Sequence, residues 1–131
     1  MNPSEYRISE SPKIIEFKKN TDSRGSLNSL ELADSGISVC RVFMISFSSA
    51  NQNRGEHAHK KCVQFLFSDA NFKVLSSSLS GEENFLITPG FGLLVPAYNW
   101  IQISSEISKC KIVVLASEAF DQEDYIFQRP R

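Results

Sequence analysis

The sequence predicts an all-β protein, an antiparallel sandwich or jelly roll. Short apolar runs rich in Val, Ile and Phe recur along the chain, bounded by Gly, Asn, Asp and Ser clusters. Ten phenylalanines fall largely within those runs, where aromatic side chains suit a pleated surface. Helical periodicity appears over no convincing length.

Each element has its own signal. KIIEFK (13–18) and SLNSLEL (26–32) are the first two candidate strands, separated by the turn TDSRG. ADSG precedes SVCRVFMISF (38–47), the longest run, which ends in the polar loop SSANQNRG. CVQFLFS (62–68) and FKVLSSS (72–78) flank a DAN turn, and SGEE leads into ENFLIT (83–88). PG separates that strand from GLLVPA (92–97), and CKIVVLAS (110–117) closes the set. SEAFDQEDY (117–125) reads as a helical turn whose acidic DQEDY portion is solvated. Eight or more short strands at such spacing suit a sandwich or jelly roll. No repeat, linker or low-complexity segment divides residues 1–131, which read as one domain.

Composition excludes several functions. A net charge of -1 offers no basic face for nucleic acid. Cys40, Cys62 and Cys110 are odd in number and widely spaced, without a CxxC pair. Reduced, buried thiols in a cytoplasmic protein are the expectation, rather than disulfides or a zinc knuckle. The N-terminus lacks the apolar core of a secretion signal, and no apolar run approaches the length of a membrane span.

The chain's two histidines, His57 and His59, stand one residue apart in RGEHAHKKCVQ (54–64). On an extended strand they project to one face, with Ala58 turned the other way. Exposed polar residues, metal ligands and an acid–base pair are the three readings. In the cupin type of jelly roll, an HxH pair binds metal with a Glu four or five residues later. A His in a later G-x5-P-x-G-x2-H element completes that set. Gly90 and Pro96 match the frame's spacing, but Gln64 and Ile101 occupy the remaining ligand positions. An amide and an alkyl chain do not complete a tight transition-metal site, so no metal and no cofactor are expected. Imidazole takes and gives protons near neutrality, which suits the pair to acid–base work. Arg54 and Gln64 are nearby candidates for holding an anion and a hydroxyl. Strand parity opposes Gln64 to His59, so a bulge between Lys60 and Val63 is expected. The same parity places Cys62 on the face opposite His59, as a structural thiol.

Several segments in order resemble the nucleotide-sugar 3,4-ketoisomerases, the WxcM-like or FdtA-like group. RGEHAHKKCVQ is similar to their RGxHAHKxxxQ signature, and TDSRGSL (21–27) to an early D-x-RG-x-L element. VCRVFMI (39–45) resembles their KRVYYI strand, and LLVPAYNW (93–100) their V-x-P-x-x-W-H segment. VLASEAFDQEDYI (114–126) resembles their VLAS-x-x-YD-x-x-DYI ending. The resemblance implies a cupin (double-stranded β-helix) homodimer acting on a dTDP-linked 4-keto-6-deoxyhexose. Such enzymes move the ketone from C4 to C3 without metal or cofactor, for deoxyamino sugars of bacterial surface glycans. His57 and His59 would be the acid–base pair, and Arg54 and Gln64 the stabilisers of enediolate charge. Arg24 would meet the pyrophosphate, unless it is simply a loop arginine. Trp100 would stack on thymine or serve as core. The C-terminus at Arg131 leaves no fused transferase domain in expectation.

Departures keep a second reading open. Phe43 and Met44 stand where the family strand carries two tyrosines, and Ile101 where a histidine follows the late tryptophan. Tyr98, in the same barrel region by analogy, is the candidate substitute hydroxyl, or else a rim or packing residue. The alternative to an active isomerase is therefore a sugar-nucleotide-binding cupin that has lost turnover and serves as a sensor or partner subunit.

Overall fold

The computed structural model describes residues 5–130, and nearly all of its regular structure is antiparallel β. The strands are β1 (Lys13–Glu16), β2 (Lys18–Asp22), β3 (Gly25–Ser29), β4 (Arg41–Ser46), β5 (Arg54–His59) and β6 (Gln64–Ser68). They continue as β7 (Phe72–Ser78), β8 (Gly81–Ile87), β9 (Phe91–Val95), β10 (Trp100–Ser104), β11 (Lys111–Ala116) and β12 (Tyr125–Ile126). One five-stranded sheet has the order β1-β9-β6-β11-β4, and a second has the order β12-β5-β10-β7-β8. β2 and β3 pair as a separate hairpin. This is the expected jelly-roll arrangement: from β4 to β12 the chain alternates between the two sheets, except at the β7–β8 hairpin.

Every predicted run holds a strand: β4, β7 and β11 alternate in burial and place one face against the core, β6 and β9 are buried almost throughout, and β3 is almost wholly exposed. On β4 the alternation is complete: Arg41, Phe43 and Ile45 are half-buried, while Val42, Met44 and Ser46 are exposed. Facing side chains such as Leu66, Phe72, Val74, Leu93, Ile103 and Ile112 fill the space between the sheets. A second cluster lies on the outer face of the first sheet, where Phe65 covers Gly92 so closely that a Cβ there would sit 2.1 Å from its ring.

Differences from the sequence reading fall on polar segments. KIIEFK is cut at Phe17, and the KKNTD that follows becomes the exposed strand β2. SLNSLEL stops early, with Leu32–Asp34 turning as a 3-10 helix. The helical turn in SEAFDQEDY is a 3-10 turn at Gln122–Asp124. Its Asp124 is buried, against the expectation of a solvated DQEDY. No bulge occurs between Lys60 and Val63. The chain crosses there from β5 in one sheet to β6 in the other, so strand parity does not relate His59 to Gln64 or Cys62.

Candidate active site

β5 is built to present its histidines. Its register with β10 shifts between Ile101 and Gln102: Ile101 faces His57, but Gln102 faces Gly55. The extra residue is Glu56, and Gly55 and Glu56 both have positive φ, +83° and +59°. This bulge bends the strand and aims His57 inward. Glycine is required at 55, because a Cβ would meet the Ile101 carbonyl oxygen at 3.1 Å. Beyond the bulge, Ala58 packs outward against Trp100 and Ile126 while both imidazoles point the other way.

The two rings meet edge to face, their centroids 4.9 Å apart. Tyr125 packs on both, at 4.6 Å from His57 and 4.5 Å from His59. His57 Nδ1 lies 2.9 Å from the Gly55 carbonyl, which can only accept, so Nδ1 carries the proton and Nε2 the lone pair. His59 Nδ1 lies 2.8 Å from Asp124 Oδ2, and the same logic leaves its Nε2 as a base. That Nε2 is buried and has no hydrogen-bond partner, a condition that costs about 1–3 kcal/mol. Burial pushes both imidazoles below the usual histidine pKa. For His57 the Gly55 hydrogen bond opposes this in part. For His59 the Asp124 hydrogen bond opposes it, and the charges of His57 and Arg41 add to it. Both rings are therefore neutral at pH 7.

Asp124 is a fixed point of the site. Its carboxylate also accepts from the Lys61 N–H at 2.7 Å and the Cys62 N–H at 3.2 Å. Its carbonyl accepts from the Lys60 N–H at 2.9 Å. The bend after the histidines is thus wrapped around one acidic residue 65 positions further on.

A cleft of about 270 Å³ opens between the sheets. Arg41, Phe43 and Ile45 of β4, Gln64 of β6, and His57 and Tyr125 of the facing sheet line it. His59 stands behind His57 and Tyr125, buried. Gln64 joins His57 in the cleft because the crossover, not a bulge, brings it there. Ile101 also lines the cleft, as an alkyl wall at the position of a cupin metal ligand. Cys62 is buried as expected, but beside His59 and Asp124 rather than on an opposite face.

The remaining candidates lie elsewhere. Arg24 is exposed at the tip of the β2–β3 hairpin and paired with Asp22 at 2.6 Å. Arg54 is exposed at the start of β5, its Nη1 donating to the Ser46 carbonyl at 2.8 Å. Trp100 is buried on the outer side of β10 with its Nε1 donating to the Phe127 carbonyl, and Tyr98 packs on the same cluster. Strand alternation turns Trp100 away from the cleft, and Tyr98 sits in the turn before β10. Of the two departures on β4, Phe43 lines the cleft and Met44 faces out.

Sequence reasoning missed Asp124, Tyr125 and Arg41. Arg41 is sandwiched against Phe43 and Phe120, and its Nε is buried without a hydrogen-bond partner. Tyr125, rather than Tyr98, is the tyrosine that lines the cleft. The DYI ending was the available signal for Asp124 and Tyr125.

With this geometry the family comparison is decisive. The WxcM-like, C-terminal (FdtA) family model matches residues 10–130. The chain belongs to this family. It is 37% identical over 119 residues to a TDP-4-oxo-6-deoxy-alpha-D-glucose-3,4-oxoisomerase of Aneurinibacillus thermoaerophilus, covering 88% of this chain and 86% of that one. Among solved structures it resembles a His-to-Asn mutant of the 3,4-ketoisomerase QdtA from Thermoanaerobacterium thermosaccharolyticum, in complex with TDP-4-keto-6-deoxyglucose. The TM-score is 0.83 at 27% identity, over 92% of this chain and 90% of that one. The WlaRB TDP-quinovose 3,4-ketoisomerase from Campylobacter jejuni aligns with a TM-score of 0.82 at 27% identity, over 92% and 95% of the two chains.

Proposed function

We propose that this member of the WxcM-like family is a sugar-nucleotide 3,4-ketoisomerase that moves the ketone of a dTDP-4-keto-6-deoxyhexose from C4 to C3. The observation that carries the proposal is the pair of neutral imidazoles, each with Nε2 unprotonated, His57 at the wall of a cleft between the sheets and His59 buried directly behind it. The C3 hydrogen is acidic because its loss gives an enediolate. His59 takes that proton, and the Asp124 carboxylate stabilises the imidazolium formed. The C4 carbonyl electrons move to oxygen as the C3–C4 double bond forms. The enediol then loses its O3 proton, C3 becomes the ketone, and C4 is reprotonated. His57 shuttles the hydroxyl proton at the cleft wall. No atom is gained or lost. Arg41, with an unpaired Nε, and Gln64 hold the developing oxyanion in a setting largely shielded from water.

A cleft of about 270 Å³ lies at the small end of ligand pockets. It suits the sugar ring, with the nucleotide across the mouth. Arg54 and Arg24, both solvent-facing, are proposed to meet the pyrophosphate from outside. Alanine at either should raise KM with kcat little changed. Trp100 and Tyr98 support the histidine strand from behind, and no substrate contact is proposed for them. Homodimerisation is proposed as well: β4 is an edge strand whose outer face exposes Val42 and Met44. No helix among the described residues is long and apolar enough to cross a membrane, and the three cysteines are free. Both fit a cytoplasmic setting, which is proposed with the function.

A second reading has one observation in its favour. Phe43 presents no hydroxyl to the cleft where the family strand carries tyrosine, and Met44, at the second tyrosine position, faces out, as a binding protein without turnover would allow. Incubation with dTDP-4-keto-6-deoxyglucose in deuterated water separates the two. An isomerase yields the 3-keto product with deuterium at C4, seen by NMR. Binding without conversion or exchange would establish the sensor reading instead.

A further inference from the structure

Cys62 is a buried thiol that the proposed chemistry leaves unused, yet it touches half of the machinery. Its N–H donates to Asp124 Oδ2, the oxygen that also accepts from His59 Nδ1. An imidazole nitrogen, a carboxylate oxygen and a thiol sulfur all lie within 4.8 Å of one another as a result. All three side chains are buried, and no other such trio gathers among the described residues. His59 is moreover the residue whose second ring nitrogen has no partner in the fold.

We propose that His59, Asp124 and Cys62 form an inhibitory site for zinc or a similar borderline-soft divalent cation. Nitrogen, oxygen and thiolate are the donors zinc prefers, and bonds of about 2.0–2.3 Å around a tetrahedron place ligand atoms roughly 3.3–3.8 Å apart. The three donors lie within 4.8 Å of one another, so side-chain shifts of about an ångström bring them to that spacing, and water can take the fourth position. The site shares only His59 with the cupin frame, in which His57, Gln64 and Ile101 hold the other places.

Binding has a defined proton balance. Cys62 releases its thiol proton to solvent and binds as thiolate. The ion takes the place of the proton on His59 Nδ1. A neutral imidazole keeps one N–H, so that proton now resides on Nε2. No electrons are transferred. The consequence is a tautomer switch: the nitrogen assigned as base becomes a donor, and Asp124 is diverted from stabilising an imidazolium. Inhibition rests on the isomerase reading given above; the binding itself does not.

Cobalt titration of the metal-free protein tests the site directly. One equivalent should bind with a thiolate-to-cobalt charge-transfer absorption in the near ultraviolet, which zinc displaces. Zinc should lower turnover about 100-fold, the lower range of what a general base contributes, and a chelator should restore it. Cys62→Val, close in volume, should keep basal turnover and lose both the absorption band and zinc sensitivity. Cys62→Ala serves if the valine variant melts early. Cys40→Ser and Cys110→Ser should keep both properties. A band that persists in Cys62→Val, equal zinc inhibition of that variant, or cobalt binding without thiolate absorption would each overturn the proposal. A protein that shows the Cys62-dependent band but never converts the keto sugar would retain the site and refute the isomerase reading.

Discussion

His57 and His59 have the same tautomer for different reasons, one held by a backbone carbonyl and the other by a carboxylate. The difference predicts different sensitivities. Asp124→Asn can offer its amide as donor to Nδ1, which moves the ring proton to Nε2 and removes the base. Turnover should fall about 10²–10⁴-fold, the span of general acid–base catalysis, while substrate affinity by calorimetry changes little. The acid limb of the kcat/KM profile should also shift, because the carboxylate raises the His59 pKa against burial. A fall in activity with an unchanged profile would mark Asp124 as merely structural. Tyr125→Phe is the companion experiment: if the phenol compensates for the missing hydroxyl on β4, kcat should fall by about tenfold or more with the fold intact. The histidines were legible because i and i+2 share a strand face. Asp124 was not, because nothing local connects it to a residue 65 positions away, and an acidic turn reads as solvated.

At the scale of elements, legibility followed apolar alternation. β7, FKVLSSS, matched its predicted bounds, since its alternating side chains enter the core. β5 was absent from the strand set because five of its six residues, Arg54, Gly55, Glu56, His57 and His59, are polar or glycine. Its strand character comes from pairing with β10 and β12 rather than from propensity. β10 was passed over because Trp100 was read as the end of a motif rather than the start of WIQIS. The incompleteness of the HxH frame as a cupin ligand set was readable from Ile101 alone, whose side chain has no ligand atom. The bulge that aims His57 was not, since it depends on the opposing β10 backbone. Gly55→Ala probes it: positive φ and the approach to the Ile101 carbonyl should cost about 1–3 kcal/mol, read as a lower melting temperature. Activity should fall further than stability explains, because the strand must rotate His57 to relieve the contact. Full activity at lowered stability would show that the bulge does not aim the ring.

For the molecule as a whole, the buried imidazoles tie stability to pH. Both folded-state pKa values lie below the ordinary 6.5, so above that pH neither state binds extra protons at these rings. As pH falls below 6.5, the unfolded chain takes up protons that the folded protein refuses, and linkage requires stability to decline. The decline ends once pH passes the folded values. Asp22, held below its ordinary 3.8 by the hydrogen bonds of Arg24, is shifted in the same downward sense but acts in a separate window: its contribution is present above 3.8 and is lost on further acidification. Thermal melts between pH 8 and 5 should therefore hold steady to about 6.5 and then drop, by roughly 3–5 °C per kcal/mol lost for a chain of this size. The His57→Asn, His59→Asn double variant should flatten that segment and leave the region below pH 4 unchanged. The acid limb of kcat/KM should fall in the same interval, with apparent pKa values belonging to the coupled pair. A stability curve without the drop would mean that both rings protonate freely in the folded state, and the proposed bases would then be charged and idle where the reaction needs them neutral.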